Sequence, residues 1–246
     1  MVQQQTAKRI MEVGERVDIV VQGAQEGFSH AILCAKKFIG DERFMVVLGD
    51  HIYRSKAKNG LSCVQQMIEA SKQLCTNKES LLGLTTTHLK DVSSFGTVSG
   101  SWVPVPENNE EATISGGVTG VVVGEEMGEQ RGGSNSITVN HFIEKPSVEE
   151  AKSILTMNGL STKETYLTIF GLYVINDPAT LWEVMEAQIK NNLRDSSGSF
   201  SFTDTLNELR KKSGLKGYLL DGTRIDIGSL PHVIPNLDGG LTHSVE

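Results

Sequence analysis

The sequence is short of cysteine, of positive charge and of long apolar runs, and each shortage excludes a class of protein. Three cysteines in 246 residues, an odd number with no Cys-x-x-Cys pair, give neither a disulfide framework nor a zinc site. Cys34, Cys63 and Cys75 all fall in segments that read as helix, and a reducing compartment suits them. No apolar stretch approaches the roughly 18 to 20 residues of a membrane span, and the first residues lack the apolar core of a secretory signal. With 23 Lys and Arg against 30 Asp and Glu, the net charge is −7, the wrong sign for a surface that embraces nucleic acid through many cationic phosphate contacts. The expectation is a soluble, cytoplasmic protein with no membrane or nucleic-acid partner. Any anionic ligand must be held locally.

What is present is an ordinary globular composition, 38% hydrophobic and 22% charged, long enough for a sizeable core. Residues 6–13 read as a helix stopping at Gly14, and residues 16–21 alternate as a strand does. A glycine-containing loop over 22–28 leads to a helix over 30–36 that Ser29 is placed to cap. A short apolar strand over 44–48 then ends at Gly49-Asp50. This alternation predicts a parallel sheet covered by helices, in which ligands gather beyond the carboxyl ends of the strands; Asp50 is therefore placed for chemistry.

Residues 61–75 predict an amphipathic helix burying Val64, Met67, Ile68 and Leu74, followed by a strand over 80–85. From Phe95 the pattern becomes β-rich, with strands expected at 95–98, 120–123 and 137–143 between polar loops at 106–111 and 125–135. Helical spacing returns over 147–158, 178–189 and 203–212, with a strand over 166–175 and a final strand pair over 217–227. There is no internal repeat and no linker rich in Pro, Gly or Ser, so one domain over 1–246 is expected. The glycines of 115–120 match neither G-x-G-x-x-G nor a P-loop.

Four motifs occur in order: Gln22-Gly-Ala-Gln-Glu-Gly27 with Ser29-His-Ala-Ile32, Phe44-Met-Val-Val-Leu-Gly-Asp50, Phe142-Ile-Glu-Lys-Pro146 and Arg224-Ile-Asp-Ile-Gly228. This series resembles the bacterial-type UTP–glucose-1-phosphate uridylyltransferases, whose Gln-x(4)-Gly-x-Gly-His-Ala, Leu-Gly/Pro-Asp, Val-Glu-Lys-Pro and Tyr-Asp-Ile-Gly segments follow the same order. Phe95-Gly-Thr-Val98, Gly171-Leu-Tyr-Val174 and Phe202-Thr-Asp204 are similar to further family segments. The resemblance covers nearly the whole chain. It implies an incomplete Rossmann-like nucleotidyltransferase fold of the α/β class, a mixed central sheet flanked by helices with a β-rich sugar-binding part. Residues 1–90 would form the nucleotide side, 91–230 the sugar-phosphate side and 231–246 a tail.

The implied reaction is attack of a glucose 1-phosphate oxygen on the α-phosphorus of UTP, with pyrophosphate leaving and UDP-glucose formed. Its catalysis is positioning and charge neutralisation. By resemblance Asp50 and Asp226 would hold a magnesium ion (Mg2+), Lys145 would pair with the sugar phosphate, and Glu144 would accept hydrogen bonds from glucose hydroxyls. Gln22 would read the uracil edge, Gly27 would let the backbone approach the base, and Gly96 and Gly171 would admit the sugar. Homo-oligomer formation is also implied. Taken singly, each residue has a plainer reading: Asp50 as a cap or turn former, Glu144 and Lys145 as a surface pair, Gln22 as a solvated loop residue, the glycines as turns. His30 is expected to pack on a helix face and His51 to be solvated in a loop, neither with a role in this chemistry.

The chain also departs from the pattern. The family's Leu-Ala-Ala-Gly-x-Gly-Thr-Arg loop and Pro-x-Thr-Lys segment, which wrap the triphosphate, have no counterpart in residues 1–14, so the chain reads as N-terminally truncated with impaired activity. Unpaired sheet edges and exposed apolar surface are then expected. Tyr166 stands where the family has a short polar residue and Leu172 where it has arginine, which puts the glucose pocket in question, a bulky Tyr166 filling space meant for hydroxyls. Two other readings stay open: a non-catalytic sugar-nucleotide-binding or scaffold paralogue, and a nucleotidyltransferase for another sugar or base.

Overall fold

The computed structural model describes residues 2–104 and 134–228. The strand expected at 120–123, the loop at 106–111, nearly all of the loop at 125–135, the glycines of 115–120 and the tail at 231–246 lie outside the described residues.

Helix α1 (Val2–Gly14) is followed by α2 (Phe28–Cys34), α3 (Lys36–Ile39), β1 (Phe44–Val47) and β2 (His51–Ser55). Then come α4 (Cys63–Leu74), β3 (Ser80–His88), a 3-10 turn (Leu89–Ser94), β4 (Thr97–Trp102) and β5 (Ser136–Ile143). The chain continues through α5 (Val148–Ile154), β6 (Thr165–Ile175), α6 (Pro178–Lys190), α7 (Phe202–Ser213), β7 (Leu215–Leu219) and β8 (Gly222–Asp226). Side chains fix several helix starts: Ser62 with Gln65 and Ser147 with Glu150 form reciprocal capping boxes, and Asp177 caps α6 just before Pro178.

Six strands form one sheet in the order β1-β6-β3-β7-β5-β4, with β4 also meeting β6, and β2 pairs with β8 in a separate ribbon. Among the described residues only β3 and β7 run parallel, so the sheet is mixed rather than parallel. The strand and helix alternation could not show this, because β6 inserts between β1 and β3 and runs against both. β6 is almost wholly buried, and its alternate residues feed two cores. Ile169, Tyr173 and Ile175 pack with Ile32, Leu181, Met185 and Leu206 from α2, α6 and α7; Phe170, Leu172 and Val174 pack with Cys63, Met67 and Ala70 of α4. Each fully buried Leu, Ile, Val, Phe or Met among them contributes roughly 1.5 to 3 kcal/mol.

The structure corrects several expectations. α4 has the expected period, but Val64 and Ile68 are exposed and the buried face is Cys63, Gln66, Met67 and Ala70. Polar Gln66 faces inward because its amide donates to Ser55 Oγ and Asp221 O and accepts from Asp221 N, each at 3.0 Å. Ser29 lies inside α2, two residues past the N-cap Gly27, and its hydroxyl bonds Ser201 O and Thr205 Oγ1 instead of capping. β7 and β8 do not pair with each other, since β7 joins the main sheet and β8 joins β2.

The strand expected over 16–21 does not form, and Val17, Ile19 and Val21 are exposed; among the described residues no neighbouring strand offers them a ladder. Tyr166, expected to fill a ligand pocket, is instead buried with Leu89, Val92, Ala151 and Leu155, and Leu172 packs on the α4 side. Among the described residues no helix is long and apolar enough to cross a membrane.

Candidate active site

The site forms where the β2–β8 ribbon lies across the middle of β6. Leu48-Gly49-Asp50 turns the chain from β1 into β2, and the register pairs His51 with Asp226 and Tyr53 with Arg224. Directly opposed and alternate residues share one face of a two-stranded ribbon, so His51, Tyr53, Arg224 and Asp226 all sit on the same side. That face rests on Gly171: Tyr53 Oη donates to Gly171 O at 2.9 Å, and a methyl at Gly171 would come within 2.5 Å of His51 Nδ1. Gly171, at φ +94°, is thus required by the approach of the ribbon.

The ribbon brings the two distant aspartates together. Ile227 N donates to Asp50 O at 2.8 Å, and ligand atoms of Asp50, His51 and Asp226 all lie within 4.8 Å of one another. Gly228 N donates to Asp226 Oδ1 at 2.9 Å, and a Cβ on Gly228 would fall 2.9 Å from Asp50 Oδ2. The bare glycine keeps space open between the carboxylates. Burial, then the Arg224 charge, lowers the His51 pKa from 6.5 against the opposing pull of Asp50 and Asp226, so its imidazole is neutral at neutral pH. Two carboxylates and a neutral imidazole suit a divalent cation in donor type and spacing.

A cleft of about 230 Å³ adjoins this cluster and is lined by Gly96, Glu144, Lys145, Gly171, Tyr173, Arg224 and Asp226, among others. Glu144 Oε2 accepts from Thr203 Oγ1 at 2.7 Å, and a Cβ on Gly96 would lie 3.0 Å from the same oxygen and 2.9 Å from the Phe142 ring. Lys145 is exposed in a left-handed conformation, φ +44°, which Pro146 and the helix cap at Ser147 follow. Arg224 stacks its guanidinium 4.2 Å from the centre of the Phe95 ring and donates to Ile169 O. Burial pushes the Tyr53 phenol up to about 12, which keeps it a donor at any ordinary pH.

Of the residues expected from sequence, Asp50, Gly96, Glu144, Lys145, Gly171 and Asp226 therefore meet around one cleft. Gln22 and Gly27 do not line it. They belong to a loop docked on residues 194–200, where Phe200 N donates to Glu26 O at 2.8 Å and a methyl on Gly27 would meet Phe200 N at 2.6 Å. Phe202 connects the two regions, its ring packing edge-on against Phe28 at 5.1 Å and Tyr173 at 5.3 Å. His51 is a correction: its side chain is 9% exposed within the cluster, not solvated in a loop. His51, Tyr53, Arg224 and Thr203 escaped the sequence reading. The alternation His51, Tyr53, Ser55 was the available signal, since every second residue of β2 turns inward.

A family profile described as nucleotidyl transferase matches residues 1–234. The chain belongs to the nucleotidyl transferase family. Within that family it is similar to the UTP–glucose-1-phosphate uridylyltransferase YngB of Bacillus subtilis (strain 168), 28% identical over 228 residues, covering 91% of this chain and 58% of the relative. UTP–glucose-1-phosphate uridylyltransferase 1 of Staphylococcus saprophyticus is 26% identical over 209 residues, covering 85% and 54%. This nucleotidyl transferase chain thus spans a little over half the length of those relatives. Its fold is similar to that of a UDP-glucose pyrophosphorylase crystallised with UDP-glucose, with a TM-score of 0.64 at 20% identity, covering 90% of this chain and 64% of that one. The UTP-bound UGPase of Acinetobacter baumannii aligns with a TM-score of 0.59 at 20% identity, covering 98% and 68%.

Proposed function

We propose that this chain serves uridylyl transfer from UTP to glucose 1-phosphate, releasing pyrophosphate and forming UDP-glucose, in the cytoplasm. The observation that carries the reading is the convergence of Asp50 and Asp226 beside a cleft that also presents Glu144 and Lys145. In that reaction a phosphate oxygen of the sugar phosphate forms a bond to the α-phosphorus as the bond to the bridging oxygen of the pyrophosphate breaks.

Asp50 and Asp226 would hold Mg2+, which when bound neutralises charge on the reacting phosphates. Lys145, exposed and with an ammonium that makes no hydrogen bond or ion pair among the described residues, would receive the sugar phosphate. Glu144, steadied by Thr203, would accept from glucose hydroxyls while Gly96 leaves room beside it. In this reading the loop of Gln22 and Gly27 takes the base, residues 1–90 form the nucleotide side and 91–230 the sugar-phosphate side.

The test is pyrophosphate release from UTP and glucose 1-phosphate with Mg2+, using this chain and a form extended upstream to carry a glycine-rich triphosphate loop. Turnover by either form that Asp50→Ala abolishes supports the reading. UDP-glucose binding without turnover in both forms replaces it with a non-catalytic sugar-nucleotide-binding protein, and turnover only with another sugar phosphate or nucleotide corrects the substrate.

A further inference from the structure

The loop over 22–27 is held by a polar chain that the proposed reaction does not itself require. Gln22 Nε2 lies 3.1 Å from Gly27 O and 3.0 Å from His30 Nδ1. A backbone carbonyl only accepts, so the Gln22 atom facing Gly27 must be the amide nitrogen, and the orientation of the carboxamide follows. One amide proton goes to Gly27 O and the other is directed to His30 Nδ1, which accepts only when it carries no proton. His30 then holds its proton on Nε2, the nitrogen that faces Glu26 Oε2 at 3.9 Å.

His30 Nδ1 also lies 3.2 Å from Ala24 O, a contact that would need the opposite tautomer. Ala24 is exposed, so water can serve its carbonyl, whereas the Gln22–His30 pair is partly buried and loses more when left unmade. Glu26 is itself anchored: Arg194 Nη2 donates to Glu26 Oε1 at 2.8 Å, Nη1 donates to Gly198 O at 2.9 Å, and the guanidinium lies 4.0 Å from the centre of the Phe200 ring. Arg194 thus holds Glu26 beside His30 Nε2, which Cys34 Sγ also approaches at 3.9 Å, while His30 Nδ1 meets Gln22.

We propose that His30 is a positioning residue that sets base specificity, accepting from Gln22 so that the carboxamide is locked with Oε1 as its free atom. Nothing among the described residues donates to that oxygen. The loop therefore offers an acceptor, which suits the N3–H of uracil or thymine and opposes cytosine, whose N3 is itself an acceptor. This inference rests on the reading of the loop as the base-binding one.

Two measurements on this chain test it. Imidazole 15N spectra without ligand are expected to show His30 protonated on Nε2; protonation on Nδ1 overturns the proposal whatever the chain binds. Calorimetric binding of UDP-glucose and CDP-glucose is then compared for the unaltered protein, His30→Ala, His30→Gln and Gln22→Ala. The preference for UDP-glucose is expected to fall about tenfold or more in His30→Ala and to be largely retained in His30→Gln, whose amide oxygen can accept in place of the ring nitrogen. A preference lost in Gln22→Ala but intact in His30→Ala overturns the role of His30 and leaves the base-binding loop standing. A preference unchanged in both, or no UDP-glucose binding by the unaltered protein, overturns the reading of the loop and the proposal with it.

Discussion

Asp50 and Asp226 meet because the backbone amide of Ile227 donates to the carbonyl of Asp50 at 2.8 Å, extending the β2–β8 ribbon by one bond beyond its last paired residues. Their carboxylates close on the same point as His51, with Gly228 leaving the space between them clear.

Gly228→Ala is expected to damage this point without unfolding the protein. The added methyl would stand 2.9 Å from Asp50 Oδ2 and 3.3 Å from Asp226 Oδ1, while Gly228 itself is exposed. Mn2+ affinity, read by calorimetry, should drop about tenfold, equivalent to roughly 1.4 kcal/mol, with the melting temperature nearly unchanged. Unaltered affinity would show that the two carboxylates do not share an ion.

Thr203→Val removes the donor that holds Glu144 and keeps the side-chain shape. A hydrogen bond to a charged group contributes about 1.5 to 3 kcal/mol, and this one is 2.7 Å long. UDP-glucose should bind roughly tenfold or more weakly, measured by titration. An equal loss for UDP alone would mean that Glu144 does not serve the sugar.

Gly27→Ala tests the docking of the 22–27 loop on Phe200. At φ +111° an L-residue is strained, and its Cβ would press on Phe200 N at 2.6 Å and Phe200 O at 2.7 Å. Backbone strain of this kind costs about 1 to 3 kcal/mol, so the urea midpoint should fall accordingly. A variant as stable as the parent would show that the 194–200 segment yields freely.

Asp177 gives a pH dependence of stability. Burial tends to raise its pKa, but hydrogen bonds from Ser213 and Thr180 and the charge of Lys78 outweigh this and hold it below 3.8 in the folded protein. The folded state therefore binds fewer protons than the unfolded one just below pH 3.8, so the stabilisation is complete above that value and is lost as pH falls through the lower folded value. Asp177→Asn should flatten the acid limb of a stability profile measured by denaturant melts between pH 6 and 3. A parallel profile would rule out Asp177 as the source.

Most elements were readable because local patterning and tertiary burial agree in them. The 166–175 run is β6 with its start moved one residue, the helix at 178–189 runs one residue further, and the helix at 203–212 is longer by one residue at each end. Where they disagree, tertiary polar contacts decided. Gln66 turned α4 because Asp221 satisfies its amide, and Ser29 left its capping position because Thr205 and Ser201 lie beside it. His51 looked like a loop residue because Asp50 ends a strand, and nothing local announces that β8 will return to pair with it.

By itself the sequence determined the order of helices and strands and the motif residues, because periodicity, caps and short motifs are properties of neighbouring positions. Only the tertiary structure decided which way the strands run, which helix face is buried, and that Asp50, His51 and Asp226 share one point while Gln22 and Gly27 sit on a separately anchored loop. Those outcomes depend on hydrogen bonds and contacts between segments distant in the chain, such as Ile227 to Asp50 and Phe200 to Glu26, which no local pattern encodes.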